Sequence, residues 1–233
     1  MSNEMLFLIE LIGVFGSLLL AKKLLGKKGL VAWVAVAGIL ANLQVNKCIT
    51  IFGLDATLGN VLFASSFLAT DMISETYGKK AAKKAVIAGI FFMVLFVLTT
   101  QMALLFTPSE ADFAHGPMKE LFTISLRTTT ASVLMYALAN ILDVVLFDKL
   151  RRMTKGKHLW LRNNVSTIVC NCAENFGFIF LAFWGIFDFG TLMTIALSTC
   201  VIESIIALLD TPFAYIARKV HNKDEKELAK VEE

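Results

Sequence analysis

The chain has 233 residues and a mean hydropathy of +0.70, and 57% of its residues are hydrophobic while 18% are charged. Soluble domains contain about 45–50% apolar residues, so this composition excludes an ordinary soluble enzyme and indicates an integral membrane protein. The net charge of +3 does not indicate a nucleic acid partner, because membrane topology and contact with anionic lipid account for the basic segments.

Seven apolar segments follow one another along the chain, most of them near the roughly 20 residues that a helix needs to cross a bilayer. They cover residues 5–21, 30–52, 56–77, 84–106, 120–147, 163–186 and 190–217. The predicted fold class is all-α, a polytopic membrane helical bundle of about seven transmembrane helices, or six if the short first segment is peripheral. We expect one transmembrane domain over 1–220 and a charged cytoplasmic tail over 221–233.

The basic residues predict the orientation of this bundle. With the N-terminus outside, 19 of the 22 lysines and arginines fall on the inner side. Only Lys119 is then in an outer loop, while Lys47 and Arg127 lie within predicted spans. Because this distribution follows the positive-inside rule, we expect the N-terminus outside and the C-terminus inside.

All four cysteines, Cys48, Cys170, Cys172 and Cys200, lie in apolar segments. A disulfide framework or a zinc ribbon is uncommon there, so we expect small buried packing residues. The histidines lie in predicted loops or the tail, and HExxH and GxSxG patterns are missing, so we expect no enzyme, no cofactor and no metal centre. A hard cation held by carboxylates alone stays open as an alternative.

Polar side chains recur at helical spacing within the spans, which places each group on one helix face. The groups are Asn42 with Asn46, Asp71 with Glu75, Asn140 with Asp143, Asn171 with Glu174 and Asn175, and Glu203 with Asp210. Several helices therefore turn a polar stripe toward one interior, which predicts a polar cavity. The alternative is a set of interhelical hydrogen bonds that only hold the bundle together.

Glu174 and Glu203 lie near the middle of their spans, where a charged group costs roughly 2.5–3.5 kcal/mol on insertion scales. Asp71, Glu75 and Asp143, like Asp210, lie nearer the inner ends, where lysines can pair with them. The central pair must be neutral, hydrated, or matched by a donor-rich or cationic ligand. These two acids are therefore the strongest indication of a substrate site.

Three segments together resemble the queuosine-precursor transporter family, also called the vitamin-uptake transporter family. The segments are Phe67 to Asp71 leading to Tyr77 and Gly78; Ala131, Ser132 and Tyr136 to Asp143; and Trp160, Leu161, Ser166, Thr167, Asn171 and Glu174 with Ala182 to Trp184. The resemblance extends from the third span to Tyr215.

The resemblance implies a compact bundle in the cytoplasmic membrane of a prokaryote that imports 7-deazaguanine bases, such as the cyano and aminomethyl precursors of queuosine, or queuine. Such a base presents a cyclic N–H beside an exocyclic amine, a donor pair that one carboxylate accepts. Glu174 is expected to accept that pair, with the rest of the lining formed by Asp71, Asn140, Asp143, Asn171, Asn175, Glu203, Glu75, Asn42 and Asn46.

Three positions depart from the family pattern. Glu174 stands where Asp is expected, Asn175 where Thr or Ser is expected, and Glu203 where Lys is expected. The change of charge at Glu203 indicates a more cationic precursor or another substrate. Two alternatives stay open: a substrate-capture subunit that works with a separate ATPase and coupling proteins, and a carrier of another small cationic or nucleobase-like solute. A homodimer is equally compatible with the sequence.

Overall fold

The computed structural model describes residues 2–45, 47–122 and 126–220, with the backbone alone at residues 48, 54–57 and 126–129. Within these ranges the chain forms α1 (Asn3–Gln44), β1 (Cys48–Ile51), β2 (Leu54–Thr57), α2 (Asn60–Tyr77), α3 (Lys79–Leu104), α4 (His115–Phe122), α5 (Leu126–Met153), α6 (Leu159–Phe183) and α7 (Phe189–Lys219). Asn46, the side chain of Arg127 and the tail 221–233 lie outside the described residues, so the predictions made for them stay predictions.

Helix α1 consists of two antiparallel arms that meet at Gly26. This residue has φ 56° and ψ −134°, a conformation that a side chain would strain. Gly29 permits the tight reversal, because a Cβ atom there would lie 2.5 Å from the carbonyl oxygen of Ala21. The start of the first arm reaches the chain beyond the second, since Asn3 Nδ2 donates to the Thr50 carbonyl at 2.9 Å. The two arms correspond to the first two predicted spans.

Residues 48–57 form an antiparallel β-hairpin, whereas the sequence prediction placed 48–52 and 56–57 in helical spans and 53–55 between them. Ile51 pairs with Leu54 across a two-residue turn, in which Phe52 and Gly53 have φ 51° and 75°. A turn with both central φ angles positive matches the twist of the flanking strands, and the preceding β-branched residues favour a strand. The prediction of a helical span over 30–52 is therefore wrong beyond Gln44.

Helix α2 lies at the centre of the bundle and packs against α1, α3, α5, α6 and α7. Its buried side chains include Ser65, Ser66, Thr70, Asp71 and Ser74. Because of this polar content, α2 is not among the five described helices that are long and apolar enough to cross a membrane, namely α1, α3, α5 from Thr130, α6 and α7. The arrangement confirms the predicted all-α multi-pass bundle.

The basic segments 22–28, 77–84, 149–162 and 218–219 meet at one end of the bundle, called here the basic end. Lys22 Nζ donates to the Ala217 carbonyl at 2.7 Å, and Lys79 Nζ lies 3.3 Å from Asp148 Oδ2. The opposite end carries the β-hairpin and is called the hairpin end. The predicted topology assigns the basic end to the cytoplasm.

One prediction about the cysteines is wrong. Cys172 and Cys200 are not separate packing residues but form a disulfide between α6 and α7, with their Cα atoms 5.2 Å apart. Their 28-residue separation hides this contact, which arises only when the two helices pack. Cys170 is free and buried, as predicted. The side chain of Cys48 lies outside the described residues.

Candidate functional site

A cavity of about 490 Å³ occupies the hairpin end of the bundle. Its walls come from the end of α1, the start of α2, the ends of α3 and α4, and the facing parts of α5, α6 and α7. Its rim includes the exposed residues Val45, Gln101 and Phe187. The volume is in the range of roughly 300–1,000 Å³ that is usual for small-molecule sites.

Aromatic side chains form much of the wall. They come from five helices and a loop: Phe63, Phe96, Phe122, Tyr136, Phe178, Phe183 and Phe187. Rings of this kind offer flat apolar faces on which a planar heterocycle can stack. The cavity therefore combines apolar walls with a small number of polar groups, the usual composition of a site for a planar ligand.

Glu174 of α6 and Glu203 of α7 both line this cavity, and their exposed fractions are 8% and 3%. Asn175 Nδ2 donates to Glu203 Oε2 at 2.6 Å, which fixes that carboxylate in place. Among the described residues, no donor hydrogen-bonds to the Glu174 carboxylate, and none of the lining residues is Lys, Arg or His. The described lining thus holds two acids without a basic partner.

The cavity also contains a hydrogen-bonded polar group on α1 and α5. Ser132 Oγ donates to Asn42 Oδ1 at 3.0 Å, and Asn42 Nδ2 donates to the Gly38 carbonyl at 2.9 Å. The Tyr136 hydroxyl lies 2.9 Å from Ser66 Oγ. Ser132 and Tyr136 were not among the predicted lining residues, although their spacing of four residues places them on one helix face.

Three further carboxylates form a buried group outside that lining, called here the acidic layer. Asp71, Asp143 and Asp210 come from α2, α5 and α7, and all are almost fully buried. Asn163 Nδ2 donates to Asp210 Oδ1 at 2.8 Å. Both carboxylate oxygens of Asp71 and of Asp143 lack a hydrogen bond from any described donor.

Glu75 lies at the basic end and contacts arginines of three other helices. Its Oε1 is 2.5 Å from Arg162 and 3.6 Å from Arg218, and its Oε2 is 3.6 Å from Arg151. We call these four residues the arginine cluster. The sequence left open whether the inner-end acids are interfacial or pair with inner-loop lysines, and Glu75 pairs with arginines.

Arg162 anchors this cluster. Its side chain is fully buried, and Nη1 donates to the carbonyls of Gly156 and Lys157 at 2.9 and 3.1 Å. The guanidinium also lies over the Phe147 ring, 5.4 Å from its centroid. Sequence analysis counted Arg162 only as an inner-loop charge.

The basic end contains little free space around these groups. A pocket of about 20 Å³ touches Lys22, Asp71, Glu75, Asn163 and Arg218, which is too small for a nucleobase. In this structure the large cavity and the arginine cluster therefore lie at opposite ends, with the acidic layer in a separate buried group.

The predicted site residues divide between these regions. Asn42, Glu174, Asn175 and Glu203 line the large cavity. Asp71 and Glu75 line the small pocket instead. Asn140, Asp143 and Asn171 are buried but line neither space, and Asn140 Nδ2 donates to the Tyr136 carbonyl at 2.9 Å. Whether they bind substrate stays a prediction, as it does for Asn46.

Two features bear on other chemistry. Within the described ranges, no group of three or more His, Cys, Asp or Glu side chains is arranged to hold a metal ion. Lys47, considered as a counter-charge inside the membrane, is exposed beside the β-hairpin. Lys47 therefore does not act as a counter-charge to the carboxylates of the large cavity.

One protein family has a model that matches most of this chain. The model of the family "Putative vitamin uptake transporter" matches residues 57–217, which include α2 to α6 and nearly all of α7. No solved structure matches this chain.

Three curated relatives are similar in sequence. "Probable queuosine precursor transporter" of Bacillus subtilis is 36% identical over 227 residues, covering 97% of this chain and 99% of that protein. "Queuosine precursor transporter" of Escherichia coli is 31% identical over 144 residues, which is 62% of each chain. "Probable queuosine precursor transporter" of Haemophilus influenzae is 29% identical over 137 residues, covering 57% of this chain and 54% of that protein.

Proposed function

The chain belongs to the vitamin uptake transporter family, and we propose that it imports a queuosine precursor, a 7-deazaguanine base used for tRNA modification. The observation that carries this proposal is the cavity at the hairpin end, where two buried carboxylates face aromatic walls. The names of the relatives point to the same class of ligand.

Glu174 is the residue to which we assign the guanine-like edge. Both oxygens of its carboxylate are without a described donor, so both can accept, one from the cyclic N–H and one from the exocyclic amine. The phenylalanines around it cover the faces of the bicyclic ring. A base held in this way supplies hydrogen-bond donors to a carboxylate that receives none from the described residues.

The acidic layer, with Asn140 and Asn171, is assigned to a later stage of transport. These groups lie outside the cavity lining, and the arginine cluster occupies the basic end. The base would reach them only after the helices separate at the basic end. In this proposal the chain acts as a carrier that alternates between a cavity at the hairpin end and one at the basic end.

The decisive experiment is uptake in a bacterial host that cannot make queuosine. Wild-type protein should restore queuosine in tRNA from nanomolar precursor, and Glu174→Gln should restore little because one acceptor becomes a donor. Glu10→Gln is the matched control, since Glu10 lies on α1 outside the cavity lining. Uptake by Glu174→Gln at the wild-type rate would show that Glu174 is not the binding group.

Proteoliposomes that contain only this chain separate a carrier from a capture subunit. Uptake of the base by such vesicles is the result expected. Binding of the base without uptake would indicate that separate coupling proteins are needed.

A further inference from the structure

The described lining of the large cavity has an unbalanced charge. It contains the carboxylates of Glu174 and Glu203 but no basic side chain. Arg162, a buried arginine among the described residues, is at the basic end and pairs with Glu75. A neutral 7-deazaguanine would supply donors to one of these carboxylates, and the other, when ionised, would have no basic partner among the described lining residues.

The two carboxylates differ in how many oxygens are still free to accept a hydrogen bond from a ligand. Glu203 Oε2 already accepts from Asn175, so one oxygen remains for a ligand. Glu174 keeps both oxygens, as a paired donor edge requires. A single remaining oxygen suits a compact donor such as an ammonium group, whose three N–H bonds need not lie in one plane.

We infer that Glu203 selects the charged form of the substrate, a 7-deazaguanine that carries a protonated primary amine, over neutral members of the same class. The inference rests on the proposed function, because it assumes that Glu174 receives the guanine-like edge. The amine is ionised at pH 7, as alkyl amines with a pKa near 10 are. Thr199, which also lines the cavity on α7, offers a hydroxyl oxygen as a further acceptor.

The expected selectivity depends on whether each ligand leaves the Glu203 carboxylate without a hydrogen-bonding partner. A hydrogen bond to a charged group is worth more than one between neutral groups, and a buried charge without a partner carries its full desolvation cost. The aminomethyl base should therefore bind about tenfold or more tightly than a base of the same ring with a neutral substituent.

The test uses the full chain in detergent and measures binding by titration calorimetry at pH 7. The three probes are 7-aminomethyl-7-deazaguanine, its N-acetyl derivative and 7-cyano-7-deazaguanine. Wild-type protein should bind the first about tenfold or more tightly than the other two. Glu203→Gln should reduce the affinity for the amine about tenfold and change that for the nitrile less than twofold. Glu203→Asp, which keeps the charge, should retain the preference.

The outcomes separate this inference from the proposed function. Equal affinity of wild-type protein for all three bases would overturn the inference and leave the proposed function standing. An equal loss of amine and nitrile binding in Glu203→Gln would overturn the role given to Glu203. Binding of none of the bases would instead reject the proposed function. If Glu203→Gln does not fold, equal affinity of wild-type protein for the amine and its N-acetyl derivative still overturns the inference.

Discussion

Glu75 and Glu174 are both glutamates within the helical bundle, but Glu75 contacts arginines of three helices while Glu174 contacts no described basic residue. The first lies where there is space for little more than 20 Å³, and the second lines a cavity of about 490 Å³. A carboxylate with its partners in place holds helices together. A carboxylate that faces open space without a partner is available to a ligand. The same side chain therefore supports structure at one end and recognition at the other.

The largest effect is expected from Arg162→Ala at the basic end. The substitution leaves Glu75 short of its nearest partner and removes two bonds to the carbonyls of the α5–α6 connection. Breaking a buried pair on one side costs about 3–5 kcal/mol, which denaturant titration in detergent would measure as a lower free energy of unfolding. Arg152→Ala is the control, because that exposed side chain pairs with Asp148 on its own helix and should cost about 0.5 kcal/mol or less.

A smaller change is expected from Glu75→Gln, which keeps the shape but weakens all three arginine contacts. The basic end should open more often, and this exposes Cys170, a free and buried thiol. In a Cys48→Ser background, maleimide labelling of Cys170 should accelerate about tenfold, the factor that corresponds to about 1.4 kcal/mol.

Lys79→Gln is the control for that experiment, because Lys79 pairs with Asp148 at the same end without touching Glu75. Its labelling rate should stay within about twofold of wild type, because a single partly exposed ion pair contributes little to stability. Equal labelling of Glu75→Gln and wild-type protein would mean that the arginine cluster does not keep the basic end closed.

The double variant Glu174→Gln/Glu203→Gln at the hairpin end should increase stability, whereas the changes at the basic end reduce it. Without ligand, two buried acids that have no basic partner among the described lining residues should reduce stability, so their amide isosteres should raise the free energy of unfolding by about 1–2 kcal/mol. Base binding should be lost at the same time. A loss of stability in the ligand-free variant would show that these acids have structural partners after all.

Asp71→Asn in the acidic layer is expected to have the smallest effect, measured as a change in the affinity for the base. Asp71 does not line the large cavity, so the affinity for the base should change less than about threefold, or about 0.7 kcal/mol. Uptake should nevertheless fall, because the acidic layer is assigned to the later stage of transport. A large loss of binding affinity would instead place Asp71 in the site itself, as the sequence pattern predicts.

The helices were accessible to prediction because long apolar runs have few alternatives in a bilayer. The third predicted span, 56–77, is close to α2 at Asn60–Tyr77. The fifth, 120–147, covers the end of α4 and most of α5, and residues 123–125 between them lie outside the described residues. The first strand of the β-hairpin was missed because its residues, Cys48–Ile51, are as apolar as the helix before it.

Helical spacing predicts which polar side chains share a helix face, and position along each span predicts how deep they lie. Helical spacing correctly brought Glu174 and Asn175 to one side of α6, facing Glu203 of α7. Asp71 and Asp143 were placed nearer the inner ends, and they lie in a buried layer outside the cavity lining, so their part in substrate binding stays a prediction. Periodicity determines the direction of a side chain, whereas its depth depends on how neighbouring helices are packed.

Gly26 has a consequence for how the protein enters the membrane. Since the two arms of α1 are antiparallel and joined directly, they can be inserted together as a helical hairpin, with Lys22, Lys23, Lys27 and Lys28 held at its bend. Such a pair buries its own connecting backbone and carries no long polar loop across the bilayer. Replacement of Gly26 by valine would thus act first on biogenesis, as a lower yield of inserted protein, before any effect on transport is seen.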